Sequence, residues 1–302
     1  MGKVAFVFSG QGAQHVGMGR ELYENCPAAK AVFDVAESVR PGTIEQCFSG
    51  SEQELTRTEN TQPCIYCVDL AAAAALKEAG VMPDMLAGFS IGELAALAFS
   101  EAISYEDGFR LVCKRGELMQ SASDKVAAGM SAVLKLQDNA VQVLCAEFEN
   151  VHPVNFNCDG QVVVAGVSEE LALFMARVKA SGGRAMQLKV GGGFHSPLMA
   201  KASEDFLEAL VSFDIGYPQL PLYSNVTALP YENDTKELLA KQVCSPVMWK
   251  ATILNMINSG ADTFIEVGPG KTLTGLISRI SSDVRVFNVE DNASVQHTAH
   301  NV

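Results

Sequence analysis

Apolar and polar positions follow two rhythms along this chain. Short apolar runs bounded by glycine or polar turns, such as Val4-Ala5-Phe6-Val7-Phe8 and Met85-Leu86-Ala87, read as buried strands. Longer segments with a helical period separate them. The pattern predicts helices over 18–25 and 28–38, and a long apolar one from Cys64 to about Ala79 after Thr61-Gln62-Pro63. Two more are predicted over 93–98 and 105–121. This alternation implies a mainly parallel sheet covered on both faces.

Between residues 127 and 190 the rhythm changes. Strands at 130–136, 151–155, 161–166 and 184–190, with helices at 139–147 and 169–180, give β-α-β-β-α-β, the ferredoxin-like pattern. The first rhythm resumes with a strand at 222–225, a helix at 251–259, a strand at 263–267 and a helix at 274–280. The expected fold class is α/β. A large hydrolase-like domain (1–126 and 191–302) carries the mainly parallel sheet, and a ferredoxin-like subdomain (127–190) is inserted in it. A cleft between the two is the expected ligand site. The polar tail after Glu290 is expected to fray.

One strand-to-helix junction carries chemistry. Gly88-Phe89-Ser90-Ile91-Gly92 links the run Met85–Ala87 to the helical stretch from Glu93, which is G-x-S-x-G in the context of a nucleophile elbow. Such a turn is too tight for a Cβ on either flank, and it lifts the Ser90 hydroxyl to a helix N-terminus, where free N–H groups can stabilise an oxyanion.

That hydroxyl needs a base. Of the five histidines, His297 and His300 sit in the polar tail, and His152 opens a subdomain strand. His15 lies in the N-terminal glycine loop, where its environment is not legible. His195 follows Gly191-Gly192-Gly193-Phe194 where the chain returns to the large domain, and it precedes the helix start Ser196-Pro197. It is the candidate base. No acid is placed to orient it, which points to a dyad whose imidazole is held by a backbone or amide carbonyl.

Composition narrows the partners. A net charge of −13 argues against nucleic acid or an anionic membrane surface. An anionic substrate therefore needs a local basic group. No stretch approaches the ~20 apolar residues that span a bilayer, and the N-terminal run is too short for a signal peptide. Eight irregularly spaced cysteines fit a reduced, cytoplasmic setting. Cys64-Ile65-Tyr66-Cys67 is a lone C-x-x-C in a predicted buried helix and reads as packing.

Two glycine motifs mislead. Gly10-x-Gly12 has His15 where a dinucleotide fingerprint needs glycine or alanine. Gly268-Pro269-Gly270-Lys271-Thr272 echoes a P-loop, but position 265 is isoleucine and Pro269 lacks a cradling N–H. It reads as a strand-to-helix turn.

Several stretches, taken in order, are more specific than any one of them. They include Phe8–Gln14 (FSGQGAQ), Thr61-Gln62-Pro63, Gly88–Glu93, Arg115–Gln120 (RGELMQ), Asn155–Gly166 and Gly193–Met199 (GFHSPLM). Tyr223–Thr227 (YSNVT), Pro246–Trp249 and Glu266–Lys271 complete the set. Over residues 1 to about 290 the chain resembles the malonyl-CoA:acyl-carrier-protein transacylases of fatty-acid synthesis and the acyltransferase domains of polyketide synthases.

The resemblance implies an S-malonyltransferase with Ser90 as nucleophile and His195 as base. It implies an oxyanion hole from the N–H groups of Gln11 and Ile91, and Arg115 paired with the malonyl carboxylate. Gln242 matches a glutamine whose carbonyl orients the histidine. The implied partners are malonyl-CoA and acyl carrier protein, with no metal or other cofactor. Without the resemblance, Arg115 reads as a helix-surface arginine.

Phe89 stands where the family most often has histidine. Its apolar ring leaves the elbow intact but removes a polar group near the acyl pocket. Phe194 goes, in this family, with unbranched malonyl units, because its bulk crowds a methyl branch. Cys158-Asp159 replaces a pair that is commonly serine-proline. A local basic patch for the acidic carrier is expected from Lys114, Arg184, Lys189 and Lys201. The rival readings are a serine hydrolase on acyl-CoA, a non-catalytic acyl-binding protein of this fold, and an acyltransferase serving a polyketide or polyunsaturated-lipid synthase.

Overall fold

The strand-forming runs assemble into two sheets in the computed structural model, which describes residues 2–302. The strands are β1 (Lys3–Phe8), β2 (Met85–Gly88), β3 (Ala128–Leu134), β4 (Val151–Cys158), β5 (Gln161–Val167), β6 (Arg184–Gln187), β7 (Leu222–Tyr223), β8 (Ala261–Val267) and β9 (Arg285–Val289). The first sheet has the order β7-β2-β1-β8-β9 and is parallel throughout. Phe8 is in register with Gly88 on one side and Val267 on the other. The carboxyl ends of β1, β2 and β8 therefore lie side by side, and the loops that leave them meet. β1 is flanked by β2 on one side and β8 on the other, an arrangement in which open α/β sheets bind ligands outside these ends.

The second sheet has the order β4-β5-β3-β6 and is antiparallel throughout. With helices Asp138–Cys145 and Ser168–Ala180 it is the ferredoxin-like unit. β4 joins it to the rest: the Val247 N–H donates to the Val154 carbonyl at 2.8 Å, and the Phe156 N–H donates to the Val247 carbonyl at 2.9 Å.

The helix Thr58–Glu78 is apolar on almost every side and lies in the main apolar cluster with β1 and β2, where its alanine-rich run Ala71–Ala75 lets neighbours come close. It begins six residues before the expected start, so Pro63 lies inside it. Gln120 Oε1 accepts the Thr58 N–H at 2.9 Å, and the Thr61 hydroxyl bonds the Arg57 carbonyl at 3.0 Å, so side chains anchor the turn before the proline. No helix among the described residues is long and apolar enough to cross a membrane.

The tail does not fray. Asn292–Asn301 is a helix capped by Asp291, whose carboxylate accepts the Ser294 N–H at 2.8 Å, while the Ser294 hydroxyl accepts the Asp291 N–H at 3.1 Å. Only Val295 and Thr298 are buried along it, so its hydrophobic period was too weak to read. Helices Thr43–Ser49, Glu52–Thr56 and Thr235–Gln242 and strand β9 also add to the expected set. β6 stops at Gln187, three residues short of the expectation, before the glycine run that leads to His195.

Candidate active site

The elbow forms because two glycines let backbones touch. A Cβ on Gly88 would stand 2.0 Å from the Gly92 carbonyl carbon, and one on Gly92 would stand 2.3 Å from the Phe8 carbonyl oxygen. Between them Ser90 takes φ 55°, a left-handed conformation costly for a residue with a side chain. Asn225, from the loop after β7, holds that geometry. Its Oδ1 accepts the Ser90 N–H at 2.7 Å, and its Nδ2 donates to the Gly88 carbonyl at 2.6 Å.

His195 is brought to Ser90 from 105 residues away. It too has positive φ, at 59°. Its Nδ1 lies 2.8 Å from the backbone carbonyl of Gln242. A carbonyl only accepts, so Nδ1 carries the proton and Nε2 is left with a lone pair. The Ser90 hydroxyl donates to that lone pair at 2.8 Å. Burial, and then the positive charge of Arg115, push the imidazole pKa down to about 4, so the ring is neutral at neutral pH. Among the described residues no carboxylate orients it.

Arg115 projects from the helix Tyr105–Ser123 and is fully buried, not exposed as a lone reading of its helix suggests. Nη1 donates to Gln62 Oε1 at 2.8 Å. Nη2 donates to Gln242 Oε1 at 2.7 Å and to Ser90 Oγ at 3.3 Å. Its Nε has no partner among the described residues. Burial lowers its pKa to about 10, and the nearby Glu93 acts in the opposite sense, so it remains a cation. A buried donor without an acceptor is costly, and a carboxylate is its natural complement.

Gln242 ties these parts together. Besides its backbone contact to His195, its Nε2 donates to the Ser90 carbonyl at 2.9 Å and to Glu93 Oε2 at 2.8 Å. Glu93 is fully buried and also accepts the Asn225 N–H at 3.0 Å and the Tyr231 hydroxyl. Sequence reasoning gave Glu93, Asn225, Tyr231 and Gln62 no role. Asn225 lay inside the YSNVT stretch, the one signal that pointed to it.

The N–H groups of Gln11 and Ile91 have no acceptor among the described residues, whereas the Ser90 N–H is already used by Asn225. Two backbone donors thus remain free, one of them in the residue that follows Ser90, and free donors are what an oxyanion hole needs.

A cavity of about 690 Å³ opens between the two sheets. Gly10, Gln11 and Phe89 line it on one side, Asn155, Asn157 and Gln161 on the other, and Lys189 is also on its wall. Asn155 Oδ1 and Asn157 Oδ1 are buried without hydrogen-bond partners among the described residues. Ser90, His195 and Arg115 are not on the wall, but Phe89, adjacent to Ser90, is. The Phe89 ring meets Trp249 edge-on at 5.3 Å. Phe194 is buried in the main apolar cluster and does not line the cavity.

The other histidines stand apart from the pair. His15 is exposed and 3.3 Å from Glu290, His152 is half-buried on β4, and His297 and His300 are exposed on the last helix. Cys64 and Cys67 are buried free thiols. Among the expected basic residues, Lys114, Arg184 and Lys189 are exposed without ion pairs among the described residues, whereas Lys201 pairs with Asp205 at 2.7 Å.

Residues 5–298 match the family model described as "Acyl transferase domain". The malonyl CoA-acyl carrier protein transacylase of Bacillus subtilis is 38% identical over 304 residues, spanning 98% of this chain and 96% of that protein. The crystal structure of the transacylase of the same name from Clostridium perfringens superposes with a TM-score of 0.95 at 39% identity, over 99% of this chain and 96% of that one. A malonyl-transacylase solved in complex with its type II PKS acyl-carrier protein superposes with a TM-score of 0.96 at 33% identity, over 99% of this chain and all of that one.

Proposed function

The chain belongs to the acyl transferase domain family, and from that premise we propose that it is an S-malonyltransferase of the fatty-acid type. It moves malonyl groups from coenzyme A to the phosphopantetheine thiol of an acyl carrier protein. One observation carries this reading: the Ser90 hydroxyl is hydrogen-bonded both to a neutral imidazole at 2.8 Å and to a fully buried guanidinium at 3.3 Å. A simple ester hydrolase needs the first and has no use for the second.

The reaction is a ping-pong transfer. His195 Nε2 takes the Ser90 proton as Oγ attacks the thioester carbonyl. The resulting oxyanion rests on the Gln11 and Ile91 N–H groups. The Gln242 carbonyl stabilises the imidazolium through Nδ1–H. CoA leaves as the thiol by taking the proton from Nε2, and a malonyl-seryl ester remains. The carrier thiol then enters through the cavity, gives its proton to Nε2, and receives the acyl group as Ser90 is restored.

Arg115 selects the acyl group. A malonyl carboxylate supplies the acceptor that Nε lacks. An acetyl group leaves the guanidinium unmatched, which costs about 3–5 kcal/mol. Asn155 and Asn157 offer acceptors to the amide N–H groups of the pantetheine arm. Exposed Lys114, Arg184 and Lys189 provide local positive charge for an acidic carrier on a protein of net charge −13. Free cysteines and the absence of any membrane-crossing helix among the described residues support a cytoplasmic setting.

Intact-protein mass after brief exposure to malonyl-CoA, acetyl-CoA and methylmalonyl-CoA tests the reading. A malonyl adduct in preference to the other two is expected. Turnover of malonyl-CoA to free acid, with no stable adduct and no transfer to carrier, would instead establish the hydrolase.

A further inference from the structure

We propose that Glu93 sets the charge of the acyl pocket: ionised beside the vacant Arg115, it takes up a proton when a carboxylate-bearing acyl group occupies the guanidinium. The inference rests on the malonyl reading of Arg115 and adds to it a residue that touches no substrate.

The geometry is a buried relay. Arg115 Nη2 donates to Gln242 Oε1 at 2.7 Å, and Gln242 Nε2 donates to Glu93 Oε2 at 2.8 Å. Glu93 is the carboxylate whose field acts on the guanidinium. Both side chains are fully buried, so solvent screens their interaction little. With the site vacant, one anion balances one cation. A malonyl carboxylate adds a second anion against the same cation, and like charges in a dry site disfavour each other's ionised form.

Glu93 is poised to respond. Burial raises its pKa to about 7, while the Tyr231 hydroxyl, the Gln242 amide, the Asn225 N–H and the Arg115 charge oppose that rise. These groups come from the helix Tyr105–Ser123, the loop after β7 and the end of the helix Thr235–Gln242. Tyr231 is itself pushed well above its ordinary range by burial, and His195 is neutral near pH 7, so neither competes for the proton. The neutral carboxyl also has a place for its hydrogen. Glu93 Oε1 can donate to the Tyr231 oxygen if that phenol turns to Ser224, whose hydroxyl is within its reach.

The sign follows from linkage. Binding that raises the Glu93 pKa above about 7 is accompanied by proton uptake, which is greatest between the free and bound values. The experiment is calorimetric titration of the Ser90→Ala protein, which binds without reacting. Malonyl-CoA and acetyl-CoA are each titrated at about pH 7.5 in two buffers of different ionisation enthalpy. Uptake of roughly half a proton per site is expected with malonyl-CoA and none with acetyl-CoA, which also cancels any contribution from the CoA phosphates. Ser90→Ala/Glu93→Gln should bind malonyl-CoA with that uptake abolished. In the reactive enzyme, KM for malonyl-CoA should rise with pH above 7 while kcat stays flat.

Equal proton counts for the two thioesters in Ser90→Ala would overturn the assignment without need of the second variant. Failure of Ser90→Ala to prefer malonyl-CoA at all would instead overturn the Arg115 reading beneath it.

Discussion

The parallel-sheet half of the site and the antiparallel half treat buried polar groups in opposite ways. Around Ser90 the side chains of Asn225, Gln242 and Glu93 are matched inside the protein, while Arg115 Nε and Trp249 Nε1 are not. Asn225 clamps the elbow, Gln242 bridges four partners, and Glu93 gathers three donors. Across the cavity, β4 presents Asn155 and Asn157 with Oδ1 atoms that nothing satisfies among the described residues. On the proposed function, the difference separates two tasks. Chemistry demands preorganised dipoles that do not reorganise as charge develops, so its groups are bound to one another. Recognition demands vacant acceptors that a ligand can fill, so its groups are left open. Arg115 belongs to both, with Nη1 and Nη2 held internally and Nε open.

Substitutions on the two sides should separate rate from affinity. The largest effect falls on the dyad. Ser90→Ala should give no acyl-enzyme mass, and His195→Ala should lower kcat on the order of 10⁴-fold with little change in KM. Arg115→Ala should come next, cutting the malonyl-over-acetyl preference about 10²–10³-fold as measured by competing thioesters. Retention of the preference would remove Arg115 from substrate recognition.

Asn225→Ala leaves the Ser90 N–H and the Gly88 carbonyl unpaired. It should cost about 2–4 kcal/mol in denaturant unfolding and lower kcat with it. Asn155→Ala and Asn157→Ala remove unpaired Oδ1 acceptors together with amide groups that hold no bond inside the protein among the described residues. Each should raise KM for the thioester about 5–10-fold at unchanged kcat and unchanged stability, and a fall in stability would place them with the structural network instead.

The smallest effect concerns pH. The base works only when neutral, so activity is lost as pH falls through its pKa of about 4. Acetyl transfer, free of any carboxylate on the acyl group, should therefore show no acid limb above about pH 5. A limb near 6.5 would mean that the imidazole is less buried in solution.

Much of this site was legible before any coordinates. Ser90 is announced by its glycines, which the turn needs for steric reasons, and His195 by the glycine run before it. Gln242 follows from resemblance, though it is the backbone carbonyl that meets the imidazole. Glu93 was hidden because an acidic residue opening a helix ordinarily faces water and favours the helix dipole. Tyr231, 138 residues on, and Gln242, 149 residues on, turn it into a buried hub. Arg115 was legible only through the resemblance carried by RGELMQ, since a lone arginine on a long helix reads as surface. The final helix was missed because two buried positions in ten residues carry little period.

The sequence by itself determined what is local: which segments are strands or helices, where a backbone bends through positive φ, and which serine sits in the elbow. Those follow from sterics and periodicity over a few neighbouring residues. Tertiary structure decided the electrical state of the site: a neutral histidine, a buried cation with one open donor, and a carboxylate near its titration point. Charge in a protein interior depends on burial and on partners supplied by distant segments, and no short stretch of chain contains that information.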